Sequence, residues 1–204
     1  SEQERVAIAA AYDLAACGEQ VLPSLLSALA DESEMIRRHA AYSLSAMGGP
    51  AVDSLADLLP HANPATRSDT ATILGDIGLA AASALPALIE AARDPHEQVR
   101  QHAVEALGLV CQSSSTAVPT LIEALADEHA PVRRSATFSL TRLGPHAEDA
   151  ISALELVLDD ENRYVRGDAL HALERIGTPA AKDVLIRHLV PARWCPLTSP
   201  ESTF

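Results

Sequence analysis

Val132-Arg133-Arg134-Ser135-Ala136, running on to Leu140, Leu143 and Gly144, is a phrase that this chain repeats. It returns as Val165-Arg166-Gly167-Asp168-Ala169 with Leu173, Ile176 and Gly177, and as Ile36-Arg37-Arg38-His39-Ala40 with Leu44, Met47 and Gly48. Its second residue is an arginine five times, Arg37, Arg67, Arg100, Arg133 and Arg166, at intervals of 30, 33, 33 and 33 residues. Counted from the first apolar residue, the apolar positions are zero, four, eight and eleven. These gather on one side of a helix that turns by about 100° per residue. A unit of this size cannot bury its apolar side alone, so a fixed period means units stacked side by side around one continuous core.

A second phrase precedes each of these helices. Val21-Leu22-Pro23-Ser24-Leu25-Leu26 matches Ala84-Leu85-Pro86-Ala87-Leu88-Ile89 and Ala117-Val118-Pro119-Thr120-Leu121-Ile122. Proline fits a helix only in the first turn, where its missing N–H is not needed, so these prolines mark helix starts. Ser113 to Ser115 precede one such start and offer hydroxyl caps. Gly18, Gly48, Gly78, Gly144 and Gly177 end the arginine helices, where a left-handed turn is expected. The fold class is therefore all-α: a right-handed solenoid of about six stacked helix pairs over residues 1–190, with a proline-containing tail over 191–204. The chain opens on a second helix of the same frame, Val6 to Gly18, with Ala7 in the arginine's place and without its first-helix partner, which is expected to lie upstream.

Composition agrees. The chain is 48% apolar and only 3% aromatic, which suits helices packed closely through alanine and leucine rather than strands. No uninterrupted apolar run reaches the roughly 18 residues of a membrane span, and no basic-then-apolar leader argues for secretion. A net charge of −13 tells against binding a phosphate backbone, which needs Lys and Arg to neutralise it. Cys17, Cys111 and Cys195 are too scattered for a CxxC motif and read as unpaired thiols of a reducing, cytoplasmic location, Cys17 in a core position.

A charged pattern runs through the turns. Asp31, Asp94, Asp127 and Asp160 each stand six residues before the repeat arginines Arg37, Arg100, Arg133 and Arg166, with His61 in that place before Arg67. An Asp at the turn and an Arg near the next helix start can meet across their own loop or with the neighbouring repeat, satisfying the groups that helix ends leave open. This ladder reads as structural.

These phrases resemble the HEAT family, in the short form found in bilin-lyase-like proteins, from Arg5 to Val190. Tetratricopeptide and ankyrin signatures are missing. The resemblance implies that the second helices line a concave face. There, six residues after the first apolar one, the exposed column reads Tyr12, Tyr42, Thr72, Glu105, Phe138, His171. Exposed aromatics in an array mark contact surface, or else fill the seam between adjacent helices. The anchors expected for a partner are Arg38 with Tyr42, and Arg134 with Phe138 and Arg142, alongside Thr72, Glu105 and His171.

The resulting expectation is a non-enzymatic scaffold that binds a protein or peptide, one with a basic patch given the acidic charge. No cofactor, nucleic acid or membrane is expected. The alternatives are a bilin-lyase-like accessory holding a chromophore or substrate, and a metal-dependent hydroxylase. Against the latter, the HEAT-type deoxyhypusine hydroxylases present His-Glu pairs early in the second helices. The matching places here are Arg38-His39, Ser68-Asp69, Gln101-His102 and Arg134-Ser135. His39 and His102 lie two repeats apart, too far to share an ion. No P-loop, GxGxxG, GxSxG or HExxH occurs. In the tail, Trp194 and Phe204 flank prolines and either cap the last helix pair or dock on another protein or a second copy of the chain.

Overall fold

The computed structural model describes residue 13, residues 16–112 and residues 114–192, with side chains as far as 189. The expectations for Tyr12, most of the opening helix, Ser113, Cys195, Trp194 and Phe204 fall outside the described residues. Among those described, every regular element is helical.

The first helices are α1 (Leu22–Ala28), α3 (Val52–Leu58), α5 (Leu85–Ala91), α7 (Val118–Ala124) and α9 (Ile151–Val157). The second helices, twice as long, are α2 (Glu34–Met47), α4 (Pro64–Ile77), α6 (Glu97–Val110), α8 (Ala130–Leu143) and α10 (Arg163–Ile176). A further first-type helix, α11 (Pro179–Ala192), closes the series and runs two residues past the boundary read at residue 190. Pro23, Pro86 and Pro119 stand in the first turns of α1, α5 and α7, as the sequence requires.

The repeat frame explains the core. Val132, Ala136, Leu140 and Leu143 of α8 are buried, as are Val165, Ala169, Leu173 and Ile176 of α10, in one core with Leu88, Leu121 and Leu154 of the first helices. Each fully buried leucine contributes about 1.5–3 kcal/mol. Toward the amino end the same positions open to solvent. Ile36 is exposed, and Cys17, expected in the core, is exposed as well. At its position in the frame, burial grows along the stack from Cys17 through half-buried Met47 and Ile77 to buried Val110.

The second helices bury more than one stripe. Ser43, Ala71, Ile73, Ala106, Thr137 and Ser139 are also buried on their flanks. Each second helix packs along its length on the next, while successive first helices barely meet. The approach is close at Gly108, where an added methyl would meet the Ser139 hydroxyl and stand 2.6 Å from Ser139 Cα. The second helices therefore form one closely packed row.

Helix ends differ in detail from expectation. Gly177 adopts the left-handed conformation at φ 68°, ψ 2°. Gly144, however, combines φ 54° with ψ −126°, and Gly48 and Gly78 do much the same. That region lies outside those open to L side chains, so the turn demands glycine more strictly than a left-handed cap does. Cys111, standing where the other repeats have glycine, keeps φ −96°. Ser114 and Ser115 do not cap α7 through their hydroxyls as expected: the Ser114 hydroxyl accepts from Thr116 N, and Ser115 serves through its carbonyl, which accepts from Val118 N. The most apolar helical stretch, Pro64–Ala91, averages 1.7 in mean hydropathy over 18 residues. Gly78 divides it into α4, a 3-10 segment and α5, each shorter than the roughly 20 residues a membrane-crossing helix needs.

Candidate functional site

The arginine and aspartate positions resolve into a ladder that crosses between repeats. Arg67 grips Asp94 of the following repeat through Nε and Nη2 at 2.7 and 2.8 Å. Arg100 holds Asp127 and Arg133 holds Asp160 in the same bidentate way, at 2.7 and 3.0 Å. Each arginine's Nη1 turns back to its own loop, where Asp31 O, Ala62 O, Asp94 O, Asp127 O and Asp160 O accept from Arg37, Arg67, Arg100, Arg133 and Arg166. Each aspartate Oδ1 in turn accepts the N–H two residues on, from Ser33, His96, His129 and Asn162. Both arrangements that the sequence left open are used, the loop by one edge of the guanidinium and the neighbour by the other.

Burial alone would raise the carboxyls of Asp94, Asp127 and Asp160. The arginine hydrogen bonds, the loop N–H and the arginine charge outweigh it, holding all three below the ordinary value. The ladder stops where the sequence departs from the pattern. With His61 in place of aspartate, the one carboxylate that Arg37 meets among the described residues is Asp69, at 3.9 Å. His61→Asp places a carboxylate at the position the aspartates hold in the other turns, within reach of Arg37 and of the N–H of residue 63. It is expected to stabilise the fold by about 1 kcal/mol, read as a raised urea midpoint at pH 7; a midpoint unchanged or lowered would refute the reading of the gap.

The exposed column is exposed at every described position: Tyr42, Thr72, Glu105, Phe138 and His171. Tyr42 and Phe138 each leave 42% of their surface in solvent. The named residues fall into two cavities on the second-helix row. One, of about 380 Å³ between α2 and α4, brings together Arg38, Tyr42 and Thr72 with Glu34, Asp69 and Asp76. The other, of about 470 Å³ across α6, α8 and α10, brings together Glu105, Arg134, Phe138 and Arg142 with Gln101 and Tyr164. His171 joins neither and faces Glu174 at 3.6 Å.

In the second cavity the Arg134 guanidinium lies 5.1 Å from the Phe138 ring centre and 5.4 Å from that of Tyr164, with Nε donating to Asp168 at 2.8 Å. Tyr164 was missed in the sequence because it sits one residue before its phrase, where the other repeats carry Met35, Ala65, Gln98 and Pro131. In the first cavity burial raises the carboxyls of Asp69 and Asp76, against the pull of Arg37 and His102 on the former and a Ser45 hydrogen bond on the latter.

Among the described residues, no group of three or more His, Cys, Asp or Glu is gathered as metal ligands require. His102 instead faces the Ser68 hydroxyl across the seam, Nδ1 to Oγ at 2.6 Å. Burial pushes the Cys111 thiol up, away from the reactive thiolate. No described buried side-chain polar atom lacks a hydrogen-bond partner, so the stack is internally satisfied.

The family model for HEAT repeats matches residues 1–64, 52–141 and 118–193. No curated protein matches the chain. Among solved structures, the complex of CpcE and CpcF of phycocyanin lyase from Nostoc sp. PCC7120 is similar over 75% of this chain and 98% of that one, at 23% identity and a TM-score of 0.68. A designed armadillo repeat protein in complex with the peptide (KR)4 is similar over 86% of this chain and 94% of its own, at 19% identity and a TM-score of 0.60. An engineered protein is similar over 89% and 90%, at 18% identity and a TM-score of 0.64. At these identities the likeness establishes an all-α solenoid.

Proposed function

The chain belongs to the HEAT-repeat family, and from that premise we propose that it is a non-enzymatic binding module that holds a protein or peptide segment along its second-helix row. The observation that carries this reading is the pair of half-exposed aromatics, Tyr42 and Phe138, each set in its own cavity beside an arginine of the same helix face. Aromatic and arginine side chains in preformed concavities are what dominate binding energy at protein interfaces. A stack whose buried polar groups are already satisfied loses little conformational freedom on binding.

The charge of the row supports a basic stretch in the partner. Glu34, Asp69 and Asp76 line the first cavity and Glu105 the second within a chain of net charge −13, so association is expected to weaken with salt. The similar designed armadillo protein was solved with an alternating basic peptide. The free thiols of Cys17 and Cys111 fit a reducing compartment, and we place the protein in the cytoplasm.

The test is binding of a short fluorescent Lys/Arg-rich peptide followed by anisotropy, with Tyr42→Ala and Phe138→Ala. Tyr42→Ala is expected to weaken binding about tenfold with an unchanged melting temperature. If the aromatics only fill the seam between helices, the opposite holds: binding stays the same and the melting temperature falls.

A further inference from the structure

Resting on the second-helix row as the binding face, we infer that the cavity across α6, α8 and α10 receives an acidic residue of the partner, an Asp or Glu beside an apolar side chain. Arg134, Phe138 and Arg142 stand one turn apart on one face of α8. Asp168 takes Arg134 by Nε alone, which fixes the guanidinium between Phe138 and Tyr164. Its two terminal nitrogens are left with no acceptor among the described residues. Arg142 is exposed at the last turn of the same helix and has no carboxylate partner among them either. On the far side of Tyr164 lies Arg163, its guanidinium 4.7 Å from the ring centre and its Nη2 donating to the Tyr164 hydroxyl at 2.8 Å.

The chemistry follows from this stack. Arg134, Arg142 and, behind Tyr164, Arg163 stand against two carboxylates, Glu105 in the cavity lining and Asp168 on Arg134 Nε, so the site is locally positive within a strongly acidic chain. A guanidinium already oriented by one carboxylate and two rings presents its free edge as a fork, the geometry that accepts a carboxylate through two parallel hydrogen bonds. Phe138 and Tyr164 supply apolar wall for the neighbouring side chain. Glu105 disfavours a doubly charged phosphate more than a singly charged carboxylate, and this selects Asp or Glu over a phosphorylated residue. The row is thus polarised, with carboxylates dominating from α2 to α6 and arginines at α8 and α10. A partner segment would lie in one direction, its basic part toward Tyr42 and its acidic part on Phe138.

Anisotropy with three short peptides in a Gly/Ser background, carrying Glu–Phe–Glu, Gln–Phe–Gln or Lys–Phe–Lys, tests this. The acidic peptide is expected to bind wild type at least about tenfold more tightly than the other two. Arg142→Gln is expected to remove most of that preference, and Arg142→Glu to transfer it to the Lys peptide. Arg142 is exposed and pairs with no carboxylate among the described residues, so an unchanged melting temperature controls for folding. Equal binding of the acidic peptide by wild type and Arg142→Gln would overturn the inference, as would tighter binding of a phosphoserine version. So would failure of the acidic peptide while the Lys/Arg-rich peptide still binds, which leaves the broader reading standing. Failure of both peptides sinks the two together.

Discussion

Arg133→Ala is expected to lower the unfolding free energy by about 3 kcal/mol, measured by urea denaturation at pH 7. Its side chain is 9% exposed and that of Asp160 is 8% exposed, so the substitution strands a carboxylate that solvent scarcely reaches. It also releases the carbonyls of Asp127 and Glu128, which Nη1 holds at 2.9 and 3.2 Å. Three turns of the stack are tied this way, through Arg67, Arg100 and Arg133, and each tie spans two repeats. Exposed Arg38, which pairs only with Glu34 at 3.2 Å on its own helix, is the comparison: Arg38→Ala should cost no more than about 0.5 kcal/mol. Similar losses in the two variants would show that the ladder is ornamental.

The same rungs set the acid limit of the fold. Asp94, Asp127 and Asp160 titrate lower in the folded chain than in the unfolded one. The stability they contribute is complete above the ordinary aspartate range near pH 4 and is withdrawn as pH falls through their lowered values. A variant without a rung should therefore lose less stability than wild type on going from pH 5 to pH 2.

Gly108→Ala is expected to cost about 3 kcal/mol or more, although alanine in the middle of a helix is ordinarily worth about 1 kcal/mol over glycine. The reversal comes from Ser139, whose Cα and Cβ would lie 2.6 and 2.5 Å from the new methyl. Backbone stands in the way, so relief requires α6 and α8 to separate. Their separation also strains the bond from the Ser139 hydroxyl to Val104 O, 2.8 Å long. Gly167→Ala on α10, where nothing lies within 4 Å of the added carbon, should instead stabilise by about 1 kcal/mol. Equal and favourable effects at both sites in thermal melts would refute the close seam.

Much of this was legible from the chain. The period of the arginine phrase, the prolines at helix starts and the glycines at helix ends place the helices with little ambiguity. The exposed column from Tyr42 to His171 is exposed as the frame requires. Tyr164 escaped because no periodic argument picks out a residue that its counterparts do not share, and its ring matters only through Arg134 of the preceding repeat. The flanking burial of Ser43, Thr137 and Ser139 escaped because small polar residues carry no apolar signal.

By itself, then, the sequence determined the helix pairs, their order and the apolar stripe each turns inward. Those features follow from local backbone sterics and from a period that any one unit displays. Only the tertiary structure decided that each arginine reaches forward to the next aspartate, that Gly108 meets Ser139, and that Arg134 is held between rings from two repeats. These depend on the spacing and rotation between neighbouring units, set by the summed volumes of many small side chains packed together, a quantity that no single phrase of the repeat contains.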